Sequence, residues 1–311
     1  MYICYSCEMM HMPLIIGTRG SALALVQANI AAAALKAKHP HLTIEIRTIE
    51  TLGDTNQQPI PLDTVGKGWF TQEIESALLA GDIHLAVHSL KDMGTQMPAG
   101  LEIGAYLPRE DARDALITKN NENLEALKQG ALIGTDSARR QVQMLALRSD
   151  VQMRSLRGNV PTRIEKLRTQ QYDGIILAVA GLKRLGREKE ISRYFSVEEM
   201  TPAPGQGTMA VQYALENTEV RDMLASINDQ NTAHVSEIER TFSSAIGGGC
   251  KSPTGAYACL EGSDCVLAAM TTNVAGVIIR DTARAPWQSS ADLGKQLADT
   301  MRSTLYAHAR S

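Results

Sequence analysis

The chain has 311 residues and a net charge of −3, with 44% hydrophobic and 21% charged residues. This profile is typical of a globular protein with two or three packed domains. Its aromatic content of 4% argues against a base-stacking surface for nucleic acid. No apolar run is as long as a membrane span. Residues 1–12 lack a signal-peptide pattern, and we expect them to be a disordered leader.

The five cysteines are an odd number at irregular spacing, which does not predict a disulfide framework. Cys4 and Cys7 form a lone C-x-x-C without a second ligand pair, so we expect no metal site. Free thiols persist in a reducing compartment, and we therefore expect a cytoplasmic protein.

Positive charge is concentrated in the middle of the chain. From Ala131 to Tyr194 there are 13 Lys/Arg and 6 Asp/Glu, although the chain as a whole is acidic. A basic segment within an acidic protein indicates a localised anionic ligand.

The first predicted elements are a short apolar strand at Leu14–Ile16 and a long Ala/Leu-rich helix at about Ala22–Lys38. Ser21 has the chemistry of a helix N-cap. Together with Arg19 and the free N–H groups of the helix, it could bind a carboxylate or phosphate. A simple cap beside a surface arginine explains the same residues, and the sequence does not choose between the two.

A second strand is predicted around Ile44, a polar surface loop at Gln57–Gly68, and a helix at Trp69–Ala80. The strand Ile83–Val87 then leads into the segment His88–Asp92. Ligands gather at the carboxyl ends of strands in open α/β sheets, so these polar residues are candidates for chemistry. The alternative is a structural histidine, with Asp92 serving as a turn residue.

Three further strand ends lead into basic helices, in the alternating pattern of an α/β protein. The strands are predicted at Ala131–Ile133, Met153–Leu156 and Ile175–Ala178. Because guanidinium groups bind carboxylates in a bidentate manner, this pattern favours a ligand with several carboxylates or phosphates. The basic residues that follow the strands are Arg139, Arg140, Arg157, Arg163, Lys183 and Arg184.

The last third of the chain changes character. The rigid segment Thr201–Gly207 predicts a connection between domains, and Met209–Tyr213 predicts a strand that can rejoin the first sheet. A helix ending at Ile246, three strands and a final helix predict a small α+β domain. The glycines at 247–249 are either a helix stop beside an unremarkable cysteine or a turn that lets a bulky group reach Cys250.

Seven motifs in order resemble the porphobilinogen deaminase (hydroxymethylbilane synthase) family. They are G-T-R-G-S-A-L-A-L-V-Q at 17–27, A-V-H-S-L-K-D at 86–92, S-A-R-R-Q at 137–141, L-R-G-N-V-P-T-R at 156–163, A-G-L-K-R-L-G at 180–186, P-A-P-G-Q-G at 202–207 and G-G-G-C at 247–250. Each motif alone is weakly specific, but their shared order covers nearly the whole chain after Met12.

The resemblance implies a transferase of haem biosynthesis. It would join four porphobilinogen molecules head to tail with release of ammonia, on a dipyrromethane primer, and release the linear tetrapyrrole with water. The primer would be held by a thioether to Cys250. Asp92 would be the catalytic carboxylate near the pyrrole nitrogens. The partners implied are porphobilinogen and the growing chain, with no nucleic acid or membrane, in a monomer.

The resemblance also implies a fold and a set of binding residues. Two periplasmic-binding-protein-like α/β domains, 13–107 plus 208–225 and 113–201, would flank a cleft, and a small C-terminal α+β domain, 230–311, would carry the anchoring cysteine. The cofactor-binding residues would be Cys250, Lys91, Ser137, Arg139, Arg140 and Asp92. The substrate-binding residues would be Arg19, Ser21, Ser89, Arg157, Arg163 and Arg184.

Some positions depart from the family pattern. Asp63 stands where the family often has lysine, and Asp136 where it often has serine; His84, Met93-Gly94 and Ala138 also differ. Acidic side chains beside an anion-binding cleft would weaken carboxylate binding if they faced it.

Two other functions stay open on the sequence: a non-enzymatic binder of small anions and, with less support, a nucleic-acid-binding protein.

Overall fold

The computed structural model describes residues 13–55, 70–247, 253–273 and 275–307. The strands are β1 Leu14–Thr18, β2 Ile44–Thr48, β3 Leu85–Ser89, β4 Leu101–Tyr106, β5 Asp114–Thr118, β6 Leu132–Gly134, β7 Gln152–Arg154, β8 Gly174–Ala178, β9 Arg193–Tyr194, β10 Met209–Ala214, β11 Gly255–Glu261, β12 Asp264–Thr272 and β13 Ile278–Pro286. The α-helices are α1 Ala22–Lys38, α2 Leu52–Thr55, α3 Gln72–Ala80, α4 Ala138–Leu147, α5 Val160–Thr169, α6 Val179–Arg184, α7 Thr218–Ala225, α8 Gln230–Ile246 and α9 Leu293–Ala307.

The first sheet has the strand order β2-β1-β3-β10-β4. β1 runs parallel to β2 and β3, whereas β10 is antiparallel to both of its neighbours. In the register, Met209 faces Ser89 and Ala210 faces Tyr106. The chain therefore leaves this sheet after β4 and returns to fill the position beside β3.

The second sheet has the order β7-β6-β8-β5-β9, with β6 parallel to β7 and β8 and with β5 antiparallel to β8 and β9. Residues of β8 and β5 are almost all buried, because helices cover both faces of such a sheet. Along the chain, β6 and β8 are followed by α4 and α6.

The third sheet contains β11, β12 and β13 in antiparallel order. α8 and α9 pack on one of its faces around the buried residues Phe242, Leu267 and Leu297. A Cβ at Gly294 would lie 2.2 Å from the carbonyl oxygen of Ile238, so the two helices can approach this closely only with glycine there.

The sequence explains why the long helices form where they do. The Ser21 hydroxyl accepts a hydrogen bond from the N–H of Ala24 and caps α1, and alanines on one side of the helix pack into the core of the first domain. α3 ends at Gly81, which has the left-handed φ of 75° that glycine adopts without strain. α8 also ends before a glycine with positive φ, Gly247, although its φ of 71° and ψ of −178° are not those of a left-handed helical cap.

The predicted fold class is confirmed: two α/β domains are followed by a small α+β domain. The predicted strand at Met209–Tyr213 does rejoin the first sheet. The sequence prediction omits β4, β5, β9 and α7, because it followed the strand–helix alternation of a parallel sheet and these elements interrupt it. The residue limits proposed for the three domains stay a prediction. Among the helices described, none is long and apolar enough to cross a bilayer.

Candidate active site

A cleft lies between the first and second sheets, and residues from both sides line it. Its main cavity has a volume of about 80 Å³. α1 contributes Leu23, and the end of β3 contributes Ser89 and Lys91. The second domain contributes Arg140, Val160, Arg163, Ala178, Ala180, Gly181 and Arg184. The predicted strand ends therefore converge on one space.

A second cavity of about 60 Å³ adjoins the first on the side of the first sheet. Leu23 and Ser89 line both cavities. Asp92 and Arg19 line only the second one, and the carboxylate of Asp92 is exposed to solvent there. The candidate catalytic carboxylate thus lies at one end of a continuous, mostly cationic cleft.

Arg139 and Arg140 are held by one buried acid, Asp114, at the start of β5. Arg139 Nη1 lies 2.7 Å from Asp114 Oδ2, and Arg140 Nη2 lies 2.6 Å from Asp114 Oδ1. Burial alone would raise the pKa of Asp114, but the two guanidinium groups lower this pKa well below its usual range. The acid therefore remains charged and fixes both arginines.

The two arginines differ in their remaining contacts. Arg139 Nη1 also donates to the carbonyl oxygen of Thr201 at 2.7 Å, and this side chain is 6% exposed. Arg140 donates to the carbonyl oxygen of Ile176 at 3.1 Å and lines the main cavity. Arg140 is therefore placed to meet a ligand, whereas Arg139 supports the wall behind it.

Lys91 extends into the cleft from the short 3₁₀ turn Leu90–Asp92. Its Nζ donates to Gln206 Oε1 at 3.3 Å, and Gln206 Nε2 in turn donates to Asp114 Oδ1 at 3.0 Å. Lys91 has an exposed surface, but neighbouring protein atoms remove much of the water around its ammonium group. This desolvation, together with Arg140, lowers the pKa of the ammonium group to about 8. Lys91 can therefore lose its charge in mildly alkaline solution.

Ser89 and His88 are held by amide side chains. Gln27 Nε2 donates to Ser89 Oγ at 2.8 Å, which connects α1 to the end of β3. His88 Nε2 lies 3.1 Å from Gln212 Oε1, and burial lowers the pKa of His88 to about 4. A neutral, buried imidazole with an amide partner supports the structural reading of this histidine.

Arg19 is paired within its own domain. Its guanidinium group contacts the carboxylate of Asp54, with Nε 3.1 Å from Oδ2, and its Cζ lies 4.2 Å from the centre of the Phe70 ring. Thr51 Oγ1 donates to the same acid at 2.8 Å. A ligand carboxylate that binds Arg19 must therefore share it with Asp54 or displace that acid.

The remaining predicted arginines lie on the second domain. Arg163 Nε donates to the carbonyl oxygen of Gly158 at 2.7 Å, and Arg184 Nη2 donates to the carbonyl oxygen of Gly207 at 2.6 Å. Burial lowers the pKa of both guanidinium groups, but arginine remains charged at any ordinary pH. Arg157 Nε lies 2.9 Å from Asp136 Oδ2.

Ser21 and Ser137 act as helix N-caps. Ser21 Oγ accepts from Ala24 N at 3.2 Å, and Ser137 Oγ accepts from Arg140 N at 3.4 Å. In both cases the hydroxyl proton remains able to donate to an anion. The capping and binding interpretations of Ser21 are therefore compatible.

Cys250, the predicted attachment point, lies outside the described residues, as do Asp63 and the predicted loop Gln57–Gly68. Their assignments rest on sequence. The described residues contain no cluster of three or more His, Cys, Asp or Glu side chains that could hold a metal ion.

Three residues of the cleft were missed by sequence reasoning: Asp114, Gln206 and Gln27. Gln206 and Gln27 lie inside the motifs P-A-P-G-Q-G and G-T-R-G-S-A-L-A-L-V-Q. The glycines, arginine and serine of these motifs were interpreted, but the two glutamines were overlooked. Asp114 carries no such signal, because its role depends on the antiparallel pairing of β5 with β8.

Comparison with known proteins identifies the family. The family model for the porphobilinogen deaminase dipyromethane cofactor binding domain matches residues 14–222, and the model for the porphobilinogen deaminase C-terminal domain matches residues 233–303. The chain belongs to the porphobilinogen deaminase family. The predicted family, enzyme class and cofactor are thereby confirmed: this is a transferase family with a dipyrromethane cofactor.

Curated relatives agree over nearly the full length. Porphobilinogen deaminase from Alkaliphilus metalliredigens (strain QYMF) is 43% identical over 92% of this chain and 91% of its own. That from Roseiflexus sp. (strain RS-1) is 44% identical over 94% and 96%. Among solved structures, a YaeC-family lipoprotein from Enterococcus faecalis V583 covers 73% of this chain and 96% of its own, at 11% identity and a TM-score of 0.43. A score this low carries no argument about the fold, which follows from the three sheets.

The cleft fits a group with several carboxylates, such as the dipyrromethane of this family. Lys91, Arg140, Arg163 and Arg184 present four cationic groups around one cavity, and Ser89 adds a hydroxyl. Arginine and lysine are the side chains that bind carboxylates most strongly, and they do so best when partly desolvated.

Proposed function

We propose that this chain catalyses hydroxymethylbilane synthesis from porphobilinogen in the cleft between its two sheets. The observation that carries the proposal is the convergence of Lys91, Arg140, Arg163 and Arg184 around one cavity, with Asp92 on the wall of the adjoining cavity. Each porphobilinogen pyrrole bears an acetate and a propionate. The charge pattern of this cleft therefore matches the carboxylates of linked pyrroles.

The proposed division of roles follows the family resemblance. Lys91, Asp92, Ser137, Arg139 and Arg140 hold the cofactor, with Arg139 acting through the Asp114 cluster. The other predicted residues hold substrate and growing chain: Arg19, Ser21, Ser89, Arg157, Arg163 and Arg184. Placing the donors on two domains lets a change in the cleft angle release one set of carboxylates and engage another.

Asp92 is the proposed catalytic carboxylate. When ammonia leaves porphobilinogen, positive charge develops on the pyrrole. A fixed carboxylate beside the ring nitrogen stabilises that charge and can accept a proton. Among the described residues that line the two cavities, Asp92 is the one acid, and it lines the second cavity. Asp92 follows Lys91 in the chain and lines the second cavity, so it can direct one negative charge at the ring.

The proposed attachment point of the cofactor is Cys250, by a thioether. The bound dipyrromethane supplies the free pyrrole position to which substrate is joined. In the sequence, Cys250 falls between the last residue of α8 and the first of β11. β11 meets the domain connection where Ala256 N donates to the carbonyl oxygen of Pro202 at 2.9 Å. We further propose a monomer, as the family resemblance implies, in the cytoplasm, which the free thiols of Cys259 and Cys265 support.

Intact mass and turnover test the proposal together. We expect the purified protein to be heavier than its sequence by a dipyrromethane, and to consume porphobilinogen with release of ammonia. Cys250→Ala should remove the added mass and the activity. Cys259→Ala, which changes a half-buried thiol in the same domain, should retain both. A wild-type protein of bare sequence mass that binds pyrrole carboxylates without turnover would instead identify a non-enzymatic anion binder.

A further inference from the structure

Asp136 and Arg157 form an ion pair whose charges act on the cavity-lining Arg163, and the proposed reaction does not explain this pair. Arg157 Nε lies 2.9 Å from Asp136 Oδ2, and the side chains are 36% and 29% exposed. The other carboxylate oxygen, Oδ1, accepts a hydrogen bond from Ser155 Oγ. Both oxygens of Asp136 are thus engaged, and the acid is bound to Arg157 as a substrate carboxylate would be.

The surroundings place this pair among the ligand-binding charges. Arg163 lines the main cavity. The charges of Arg140, Asp136, Asp92 and Arg157 act on its guanidinium group. Asp136 immediately precedes Ser137, the N-cap of α4, and Arg140 in the first turn of this helix lines the main cavity. It therefore introduces a negative charge where a negatively charged ligand must bind.

The geometry points to Asp136 as an internal competitor for Arg157. We propose that its carboxylate occupies the side of the guanidinium group until a pyrrole carboxylate displaces it, and that it thereby sets the affinity for substrate and growing chain. The proposal rests on the function proposed above, because it takes Arg157 to be a substrate-binding residue.

An internal competitor suits a chain that must advance. Each condensation adds one pyrrole, so each arginine must release one carboxylate and accept the next. An arginine without an internal partner would hold its carboxylate more strongly, because nothing would replace it on release. Asp136 lowers the cost of release by providing a carboxylate of its own, at the expense of affinity. It is a positioning residue, because it acts on substrate through Arg157.

The test uses the holoenzyme and an unreactive ligand: a pyrrole with acetate and propionate groups but no aminomethyl group. Calorimetry gives its dissociation constant, and steady-state kinetics give KM and kcat with porphobilinogen. We expect Asp136→Asn to lower the dissociation constant and KM by about two- to fivefold, the range of a partly exposed ion pair, without raising kcat. Asp136→Ser should have the same effect and guards against a local distortion by asparagine.

A double-mutant cycle assigns the effect to Arg157. In the Arg157→Gln background, Asp136→Asn should leave the dissociation constant unchanged. Asp150→Asn is the matched control, because Asp150 Oδ1 contacts Arg148 Nε at 2.7 Å with similar exposure beyond the opposite end of α4. It should not alter pyrrole binding.

Three results would overturn the proposal. They are weaker or unchanged binding in Asp136→Asn, an equal gain with and without Arg157, or an equal gain in Asp150→Asn. Failure of the proposed function is a different result: the wild-type protein would then lack the cofactor mass and turnover. The calorimetric comparison of Asp136 variants could still be made in that case.

Discussion

Asp114→Asn removes the negative charge that two buried arginines share. Asp114 is 0% exposed, and its oxygens lie 2.6 Å from Arg140 and 2.7 Å from Arg139. Removal of one partner from a buried ion pair costs about 3–5 kcal/mol, because the remaining charge is left in a poorly solvated site. With two cations left, we expect the upper part of that range. This is a large fraction of the stability of a domain, about 5–15 kcal/mol.

Amide hydrogen exchange in β5 and β8 measures this effect in the domain where it arises, since unfolding of a three-domain protein is not one transition. We expect protection to fall by about a thousand- to several-thousand-fold. The stabilising contribution of Asp114 is present above about pH 4, the unfolded pKa of aspartate. It is lost only as pH falls further, because the folded pKa is depressed. The exchange rates of the wild type and Asp114→Asn should therefore be compared at neutral pH.

Asp111→Asn is the matched control for Asp114→Asn. Asp111 Oδ2 lies 2.7 Å from Arg113 Nη2, and these side chains are 18% and 42% exposed. An exposed pair contributes at most about 1 kcal/mol, so protection in β5 and β8 should change by less than about tenfold. If Asp114→Asn also stays within tenfold of the wild type, the two arginines do not depend on this acid and the reasoning fails.

Asp92→Asn should leave urea unfolding unchanged while reducing turnover about a hundred- to ten-thousand-fold; near-normal turnover would remove its catalytic assignment. Binding of the unreactive pyrrole should weaken as pH rises above about 8, where the Lys91 ammonium loses its proton. Lys91→Arg should abolish this loss, and an unaltered pH profile in that variant would exclude Lys91 as its source. Gly207→Ala should destabilise the protein by about 2 kcal/mol or more, because φ is +91° and the new Cβ would lie 2.3 Å from the carbonyl oxygen of Glu110. Gly20→Ala, with open space at that position, should stay within about 0.5 kcal/mol, and equal effects would contradict the steric argument.

Local chemistry predicted much of the fold. The Ala/Leu pattern and Ser21 gave the bounds of α1, and apolar runs ending in basic residues located β6 and β8. The left-handed glycine at Gly81 ended α3 as expected. These features depend on residues near one another in the chain, where propensity, periodicity and capping decide the structure.

The organisation of the cleft depended on contacts distant in sequence. Arg139 and Arg140 follow the same strand, yet their shared acid is Asp114, which is brought beside them by the pairing of β5 with β8. The sequence predicts that Arg157 binds substrate but does not reveal that Asp136 forms an ion pair with it. Charge patterning in the sequence identifies which groups can bind an anion. The partner that each group has before the ligand binds can be identified only from the fold.

The late return of β10 has a consequence for synthesis on the ribosome. β3 and β4 cannot form their native sheet until β10, which lies between them, has been made. Translation from the end of β4 at Tyr106 to the end of β10 at Ala214 takes on the order of 5–20 s at bacterial and eukaryotic rates. During that interval the strands β5–β9 emerge as one uninterrupted segment. The arginine-bearing half can therefore reach its folded form first and serve as the surface on which the half with Asp92 completes itself.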